Sequence, residues 1–291
     1  MRKINVLGVK FSDINDHELD EILRSNMTGS NNFKIITPNP EIVMRAKKDK
    51  KLIELINSAG LVLKDGVGIV IAQKIAGIEG EGRQTGFDTL KKILSIADEK
   101  ALDIYIVGAK QETLDQAIEN IKKDYKNLNI VGAHNGYFEL NSPQEQEILK
   151  DIENKKPHLV VSAMGFPKQE YFISKLDGLT SMSIGVGGSL DVISGNLKRA
   201  PKWVQKIGME WFYRLLKEPS RIKRQLVIPH FLIKVVTNKK SIREELWTTL
   251  IILQLIRWEC FLSIWLAKQT LDIQAYRLEQ HLCLMLYLKI I

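Results

Sequence analysis

The chain reads Leu-Val-Val-Ser-Ala-Met-Gly-Phe-Pro-Lys-Gln-Glu from residue 159 to residue 170. The run Leu159–Ala163 is short, apolar and rich in valine, as is typical of a buried strand. Gly165 and Pro167 then mark a turn, and the polar residues after Pro167 begin a helical pattern. A strand, a tight turn and a helix in this order form the repeating unit of parallel α/β sheets.

The same alternation of short strands and longer helices runs through the first 200 residues. One helix is predicted over Glu41–Asn57, with Asn39 as its N-cap and Pro40 as its first residue. The pattern predicts an α/β, Rossmann-like fold, in which a largely parallel sheet carries helices on both faces. Ligands of such sheets bind beyond the carboxyl ends of the strands. The other strand candidates are Phe33–Thr37, Leu61–Lys64, Asp103–Val107, Asn129–Ala133 and Ser183–Val186.

The positive charge of the chain is concentrated in one segment. Residues 198–240 contain twelve Lys or Arg and two acids, a net charge of +10, whereas the whole chain has a formal net charge of +8. Such a block predicts an anionic partner, such as a membrane surface. Its pattern favours two helices, one over Trp203–Leu216 and one from Pro219 onward. We therefore predict an α/β catalytic core over residues 1–200, a basic helical membrane-associating appendage over residues 201–240, and a helical tail over residues 241–291.

The composition excludes several classes of protein. The chain is 45% hydrophobic and 26% charged, as an ordinary globular protein is. The two cysteines, Cys260 and Cys283, exclude a disulfide framework and a Cys-based metal site. No secretory signal begins the sequence, and the most apolar run, Leu246–Leu266, is interrupted by Arg257 and Glu259. These features predict a soluble or peripheral protein without a spanning helix.

Several motifs of common nucleotide enzymes are missing from the sequence. The stretch Gly185–Asp191 has Leu190 where a G-x-G-x-x-G fingerprint has its third glycine, which argues against a nicotinamide dehydrogenase. No P-loop is present, and neither a D-x-D motif nor a His/Cys cluster supplies ligands for a metal. The chain is therefore expected to need no cofactor and no metal. No motif of a nucleic-acid-binding domain accompanies the basic block.

Polar side chains follow the first two strands of the predicted sheet. Thr37 and Asn39 place a hydroxyl and an amide just before a helix N-terminus, where free backbone N–H groups favour a phosphate or a sugar oxygen. Plain helix capping is the alternative interpretation. Asp65, followed by Gly66, could act as a general base, and the alternative is an aspartate of a β-turn.

Three further loops carry groups that suit a nucleotide-sugar. Arg83 could clamp a diphosphate through its planar guanidinium, unless it is a solvated loop charge. Tyr137 could stack on a base or a sugar, whereas Phe138 is better suited to the core. Lys168 and Gln169, in the first turn of a helix, could reach an anion or a sugar hydroxyl.

A glycine-rich turn follows the last predicted strand. Gly187 and Gly188 would let the backbone approach a diphosphate closely, and Asp191 could bind ribose hydroxyls or uracil. Together, the strand ends predict a polar rim that suits a nucleotide-sugar, although the pattern alone does not single out this ligand.

These motifs, in their order along residues 3–236, resemble the WecG/TagA/CpsF glycosyltransferases. The resemblance implies transfer of N-acetylmannosamine, with inversion, from UDP-N-acetylmannosamine to undecaprenyl-diphospho-N-acetylglucosamine, as in synthesis of the wall teichoic acid linkage unit. Another UDP-sugar donor, of the exopolysaccharide or enterobacterial common antigen type, is the alternative. Phe166 departs from the family pattern, which has a small residue there. The matching motifs are Thr37–Val43, Asp65-Gly66, Gly165–Glu170, Gly185–Asp191, Lys198–Pro201 and Gly208–Leu215, followed by Glu218, Pro219 and Arg221.

The resemblance also suggests roles for the candidate residues. Asp65 is the expected base, Thr37 would position a sugar, and Arg83 would stabilise the leaving diphosphate. The expected partners are a UDP-sugar donor, an undecaprenyl-diphosphate-linked acceptor and the inner face of the cell membrane, and the chain is also compatible with a homo-oligomer. An oxidoreductase or a non-catalytic membrane adaptor remains as an alternative. Basic residues of the appendage that could contact the membrane or the diphosphate are Arg214, Arg221 and Arg224.

Overall fold

The computed structural model describes residues 1–206, 209–217 and 227–237. Contacts between Cα atoms divide the chain into a unit Met1–Asn238 and a unit Lys239–Ile291, and every described residue belongs to the first unit. The predicted division of this unit at residue 200 remains a prediction, and the predicted tail lies outside the described residues.

A six-stranded sheet in the order β4-β3-β8-β7-β5-β6 forms the centre of this unit, and all its paired strands are parallel. This arrangement confirms the predicted Rossmann-like α/β fold. The strands are β3 (Phe33–Ile36), β4 (Leu61–Val62), β5 (Asp103–Gly108), β6 (Asn129–His134), β7 (Leu159–Ala163) and β8 (Met182–Gly185).

Twelve described helices surround this sheet or follow it along the chain. They are α1 (Asp16–Asn26), α2 (Pro40–Ala46), α3 (Lys50–Asn57), α4 (Val67–Ile75), α5 (Gly86–Glu99), α6 (Gln111–Asp124), α7 (Pro143–Lys155), α8 (Lys168–Ile173), α9 (Ser189–Ile193), α10 (Lys202–Lys206), α11 (Glu210–Lys217) and α12 (Val227–Thr237).

Apolar clusters of described residues lie on both faces of the sheet, because successive side chains of a strand point in opposite directions. Ile104 and Ile106 of β5 belong to the cluster that contains residues of α1, α5 and α6. Tyr105 and Val107, the alternate residues of the same strand, pack with residues of α7 and α8. Burial on both faces explains why these strands are continuous apolar runs in the sequence.

Two helices occupy the range in which one helix, Glu41–Asn57, was predicted, so this prediction was wrong. The Asn39 side chain accepts a hydrogen bond from the Ile42 N–H and begins α2, as expected. The helix ends after Ala46, and Asp49 begins α3 by accepting hydrogen bonds from the backbone N–H groups that follow it. Asp49 thus acts as a second N-cap within a sequence whose apolar period continues across the break.

An antiparallel hairpin of β1 (Arg2–Val6) and β2 (Val9–Asp13), which the sequence analysis did not predict, precedes the parallel sheet. Its two-residue turn has positive φ angles at Leu7 (53°) and Gly8 (100°), which matches the twist that a tight hairpin requires.

The buried ammonium of Lys64 connects this hairpin to the end of β4. The Lys64 side chain is 0% exposed, and its Nζ donates to Asp13 Oδ1 at 2.7 Å, to Gln73 Oε1 at 3.0 Å and to the Glu81 carbonyl at 2.6 Å. Three acceptors compensate the loss of hydration of the buried charge. Lys64 therefore fixes the backbone of the 79–85 loop next to the strand end that carries Asp65.

The basic segment contains three short described helices, not a single helix over Trp203–Leu216 followed by another. α10 and α11 are separate helices, and α12, whose Phe231 is fully buried, packs against α2 and α4. No helix in the described ranges is long and apolar enough to cross a bilayer.

Candidate functional site

The carboxyl ends of the six strands bring the predicted residues to one edge of the sheet. Thr37 follows β3, Asp65 follows β4, Tyr137 follows β6 and Gly187 follows β8. Because these strands are parallel, all their carboxyl ends share this edge. Residues separated by up to 150 positions in sequence therefore lie along one rim.

A cleft of about 1050 Å³ opens beside the ends of β5, β6, β7 and β8. Four of the predicted binding residues line it: Tyr137, Gly187, Gly188 and Asp191. The Tyr137 side chain is 68% exposed, whereas neighbouring Phe138 is buried, as expected of a core residue. The cleft is of the size of many small-molecule sites.

Gln169 lies beneath this cleft and does not extend into it. Its side chain is buried, and its Oε1 accepts hydrogen bonds from the Gly165 N–H at 3.2 Å and the Gly187 N–H at 3.0 Å. The amide thus connects the loop after β7 to the loop after β8. The sequence analysis expected Gln169 to reach an anion or a sugar hydroxyl. In the structure its amide oxygen holds two lining loops together, and its role in substrate binding remains a prediction.

Lys168 also bonds to the protein backbone. Its Nζ donates to the Gly136 carbonyl at 2.9 Å and to the Phe138 carbonyl, and it lies 4.2 Å from the centre of the Phe138 ring. Burial lowers the pKa of the Lys168 ammonium. These contacts fix the loop that presents Tyr137 at the cleft.

The fully buried Glu170 orients the Gln169 amide, because Glu170 Oε1 accepts a hydrogen bond from Gln169 Nε2 at 3.0 Å. The other carboxylate oxygen, Oε2, is buried without a hydrogen-bond partner among the described residues. Burial raises the pKa of Glu170 to about 7, and the bond from Gln169 and the charge of Arg45 oppose this shift only in part. Sequence analysis did not identify Glu170 as a separate feature.

Thr37 and Asn39 both make structural contacts at the end of β3. The Thr37 hydroxyl, which is buried, donates to the Gly185 carbonyl of β8 at 2.9 Å. Asn39 caps α2, as its alternative interpretation predicted. Neither contact excludes a ligand at the remaining polar atoms, so the roles of both residues in binding remain predictions.

Asp65, which follows β4, and Arg83 face each other at the same edge of the sheet. Arg83 Nη2 lies 3.8 Å from Asp65 Oδ1 and 2.8 Å from Glu210 Oε2, and the Arg83 side chain is 22% exposed. Arg83 is thus part of an ion-pair cluster rather than a solvated loop charge. Its Nε is buried without a hydrogen-bond partner in the described part of the chain.

Three residues that sequence analysis did not single out complete this cluster. Arg199 Nε donates to Glu210 Oε1 at 3.2 Å, and its two terminal nitrogens donate to Asp88 at 2.5 and 2.8 Å. Burial alone would raise the pKa of Asp88, but hydrogen bonds from Arg199 and Thr85 lower it overall. The sequence feature that could have identified Glu210 is that it is one of only two acids in the basic segment.

The predicted arginines of the appendage cannot be placed in the site. Arg221 and Arg224 lie outside the described residues, and of Arg214 only the backbone, within α11, is described. Within the described ranges, no three His, Cys, Asp or Glu side chains are grouped so that they could hold a metal ion. The roles of the arginines and the metal independence remain predictions.

Comparison with known proteins identifies the same family that the sequence motifs resemble. Residues 4–245 match the model of the glycosyl transferase WecG/TagA/CpsF family. A protein of Bacillus subtilis (strain 168) is 36% identical over 209 residues, which cover 71% of this chain and 80% of the relative. A protein of Staphylococcus aureus (strain MW2) is 32% identical over 246 residues, which cover 83% of this chain and 95% of the relative. Both relatives are named N-acetylglucosaminyldiphosphoundecaprenol N-acetyl-beta-D-mannosaminyltransferase.

The environment of Glu170 predicts a pH-dependent stability. Because its pKa is raised from 4.5 to about 7, the folded protein keeps a proton between these pH values that the unfolded chain has lost. Stability should therefore fall as the pH rises through this window and level off above it. Glu170→Gln should remove this decline, so the stability of the variant relative to the parent should rise by about 3 kcal/mol between pH 4 and pH 8.

Urea unfolding of both proteins at pH 4, 5, 6, 7 and 8 measures this difference. Glu119→Gln, at an exposed position of α6, is the control and should follow the pH profile of the parent. Parallel profiles for the parent and Glu170→Gln would show that Glu170 does not titrate in this window.

Proposed function

The chain belongs to the glycosyl transferase WecG/TagA/CpsF family, and we propose that it transfers N-acetylmannosamine from UDP-N-acetylmannosamine to undecaprenyl-diphospho-N-acetylglucosamine. The names of the relatives support the transferred sugar and the lipid-linked acceptor. The observation that carries the proposal is a carboxylate beside a guanidinium, Asp65 and Arg83, on the rim that also contains the cleft.

In this proposal the cleft binds the nucleotide part of the donor. Tyr137 presents an exposed ring on which uracil can stack, and Asp191 offers a carboxylate to ribose hydroxyls. A Cβ atom added to Gly165 or Gly187 would meet no described atom within 4 Å, which leaves open space above both loops. A diphosphate can therefore approach the backbone of the Gly187-Gly188 turn.

The reaction takes place at the Asp65 end of the rim. The acceptor hydroxyl of N-acetylglucosamine attacks the anomeric carbon of the donor sugar from the face opposite UDP, and Asp65 accepts the proton of that hydroxyl. The bond from the anomeric carbon to the UDP oxygen breaks, and its electron pair leaves with UDP, which inverts the configuration. Arg83 compensates the negative charge that develops on the diphosphate.

The donor is tested by incubating the purified protein, in EDTA, with a short-chain lipid-diphospho-N-acetylglucosamine and a panel of UDP-sugars. We expect a product larger by one N-acetylhexosamine with UDP-N-acetylmannosamine, detected by mass spectrometry. Product from a different UDP-sugar alone would reassign the donor within the family. Activity that requires added Mg²⁺ or Mn²⁺ would contradict leaving-group stabilisation by protein groups alone.

Replacement of the proposed base should slow the reaction without preventing donor binding. Asp65→Asn keeps the shape of the side chain and removes its basicity, so turnover should fall by about 100-fold or more. Calorimetry with UDP should give an affinity close to that of the parent. Asp124→Asn, at an exposed position of α6, is the matched control. Near-normal turnover of Asp65→Asn would exclude Asp65 as the base.

We also propose that the protein lies peripherally on the inner face of the cell membrane. Trp203 of α10 is 67% exposed and Leu216 of α11 is 42% exposed, so two large apolar side chains of the basic segment face solvent. An interfacial helix combines such apolar groups with basic residues that attract anionic lipids.

A charged residue at the exposed tryptophan should weaken this contact. Trp203→Glu should reduce sedimentation with liposomes of phosphatidylglycerol by about tenfold, because it removes an apolar anchor and adds a like charge near the lipid. Transfer to a short-chain, water-soluble acceptor should stay within about threefold of the parent rate. Liposomes of phosphatidylcholine are the control, and unchanged sedimentation with phosphatidylglycerol would exclude Trp203 from the membrane contact.

A further inference from the structure

We propose that Glu210 is a positioning residue for the transfer reaction, because its carboxylate holds the Arg83 guanidinium near Asp65 while preventing the two from forming a close pair. The inference rests on the proposed function of the same site. It assigns a role to one of the two acids in the basic segment.

The carboxylate of Glu210 lies between two guanidinium groups. Its Oε2 accepts a hydrogen bond from Arg83 at 2.8 Å, and its Oε1 accepts one from Arg199 at 3.2 Å. The residue is 3% exposed and is the first residue of α11. Since each oxygen binds a different arginine, a change at Glu210 alters both contacts, and the two must be separated experimentally.

Loss of the Glu210 carboxylate should have little effect on the position of Arg199, because Arg199 has a second anchor. Both of its terminal nitrogens bind the carboxylate of Asp88, at 2.5 and 2.8 Å, and its guanidinium stacks on the Phe87 ring at 4.7 Å. These contacts do not involve Glu210. Loss of the Glu210 bond should therefore leave Arg199 in place.

The backbone that carries Arg83 is also held independently of Glu210. The Glu81 carbonyl accepts a hydrogen bond from Lys64, and the Glu81 N–H donates to Asp13 Oδ1 at 2.8 Å. The anchor lies two residues before Arg83, so the loop should keep its position when Glu210 is changed. What Glu210 determines is the direction of the Arg83 side chain.

Asp65 is the other carboxylate within 4 Å of the Arg83 guanidinium in the described part of the chain. With Glu210 in place, Arg83 Nη2 is 1.0 Å closer to Glu210 than to Asp65, from the distances of 2.8 and 3.8 Å. Without the Glu210 charge, Arg83 should turn toward Asp65 and form a close ion pair. That pair would occupy the proposed base and remove the guanidinium from the leaving diphosphate.

A double-mutant cycle on the full chain tests this role, with Glu210→Gln, Arg83→Met and both together. Glu210→Gln should lower kcat by about 10- to 100-fold, the scale of a misplaced group at an active centre. In the Arg83→Met background, the same change should cost less than about twofold, because Arg83, the group that Glu210 is proposed to position, is then absent. Asp88→Asn, which changes the contacts of Arg199 and Thr85 but leaves the bond between Glu210 and Arg83, is the control for the Arg199 side of the cluster and should stay within about threefold of the parent.

Equal losses from Glu210→Gln in both backgrounds would overturn the proposal and give Glu210 a purely structural role. Glu210→Asp replaces Glu210→Gln if the latter does not fold, since it keeps the charge and withdraws the carboxylate from Arg83 by one methylene. Glu210→Asp should likewise lower kcat much more in the parent than in the Arg83→Met background.

A crystal structure of the Glu210 variant separates this proposal from the proposed function, because it needs no donor and no acceptor. The distance between Arg83 Nη2 and Asp65 Oδ1 should shorten from 3.8 Å to hydrogen-bond length. An Arg83 side chain that keeps its position would overturn the positioning role, whatever the protein transfers. A parent protein without transfer activity, but with the expected shift of Arg83, would instead contradict only the proposed function.

Discussion

Parallel pairing of the strands is the constraint on which the rest of this structure depends. A parallel pair cannot be closed by a tight hairpin, so every connection within the sheet must cross back along one of its faces. All six strands consequently end at the same edge. Thr37, Asp65, Tyr137 and Gly187 meet there although the chain between them forms most of the core. The apolar clusters on the two faces of the sheet therefore also serve to position the polar rim.

The strands and several helix starts could be predicted because their causes are local. A run such as Leu159–Ala163 is apolar throughout because both of its faces are covered, and Asn39 with Pro40 begins a helix by its own chemistry. The break between α2 and α3 was missed since Asp49 caps a helix while the apolar period continues past it. The hairpin was missed because its turn has Leu7 at a positive φ angle, where Asn, Asp or Gly usually marks a tight hairpin turn.

The candidate site could be predicted only as a set of positions. Residues at strand ends can be found from the sequence, but the direction of each side chain depends on partners that are far away along the chain. The Gln169 amide, for example, binds two backbone N–H groups, one of them 18 residues away, and the local sequence does not indicate these partners. The bond between Arg83 and Glu210 spans 127 residues, and no local pattern indicates such a pair. Long-range electrostatic partners are therefore the part of the site that requires a structure.

The charge of the basic segment also has a different meaning in the structure than in the sequence. Counted as a sum, residues 198–240 carry +10, and each Lys or Arg near an anionic bilayer contributes roughly 1 kcal/mol to binding. Arg199, however, is bound between Asp88 and Glu210 and is largely shielded from solvent. Its charge acts inside the protein, where it helps to hold the carboxylate that orients Arg83. In the proposed membrane contact, attraction to lipid would come from the other basic residues together with exposed apolar groups such as Trp203. Glu210 thus separates one cation of the segment, Arg199, from those that the proposal assigns to the membrane.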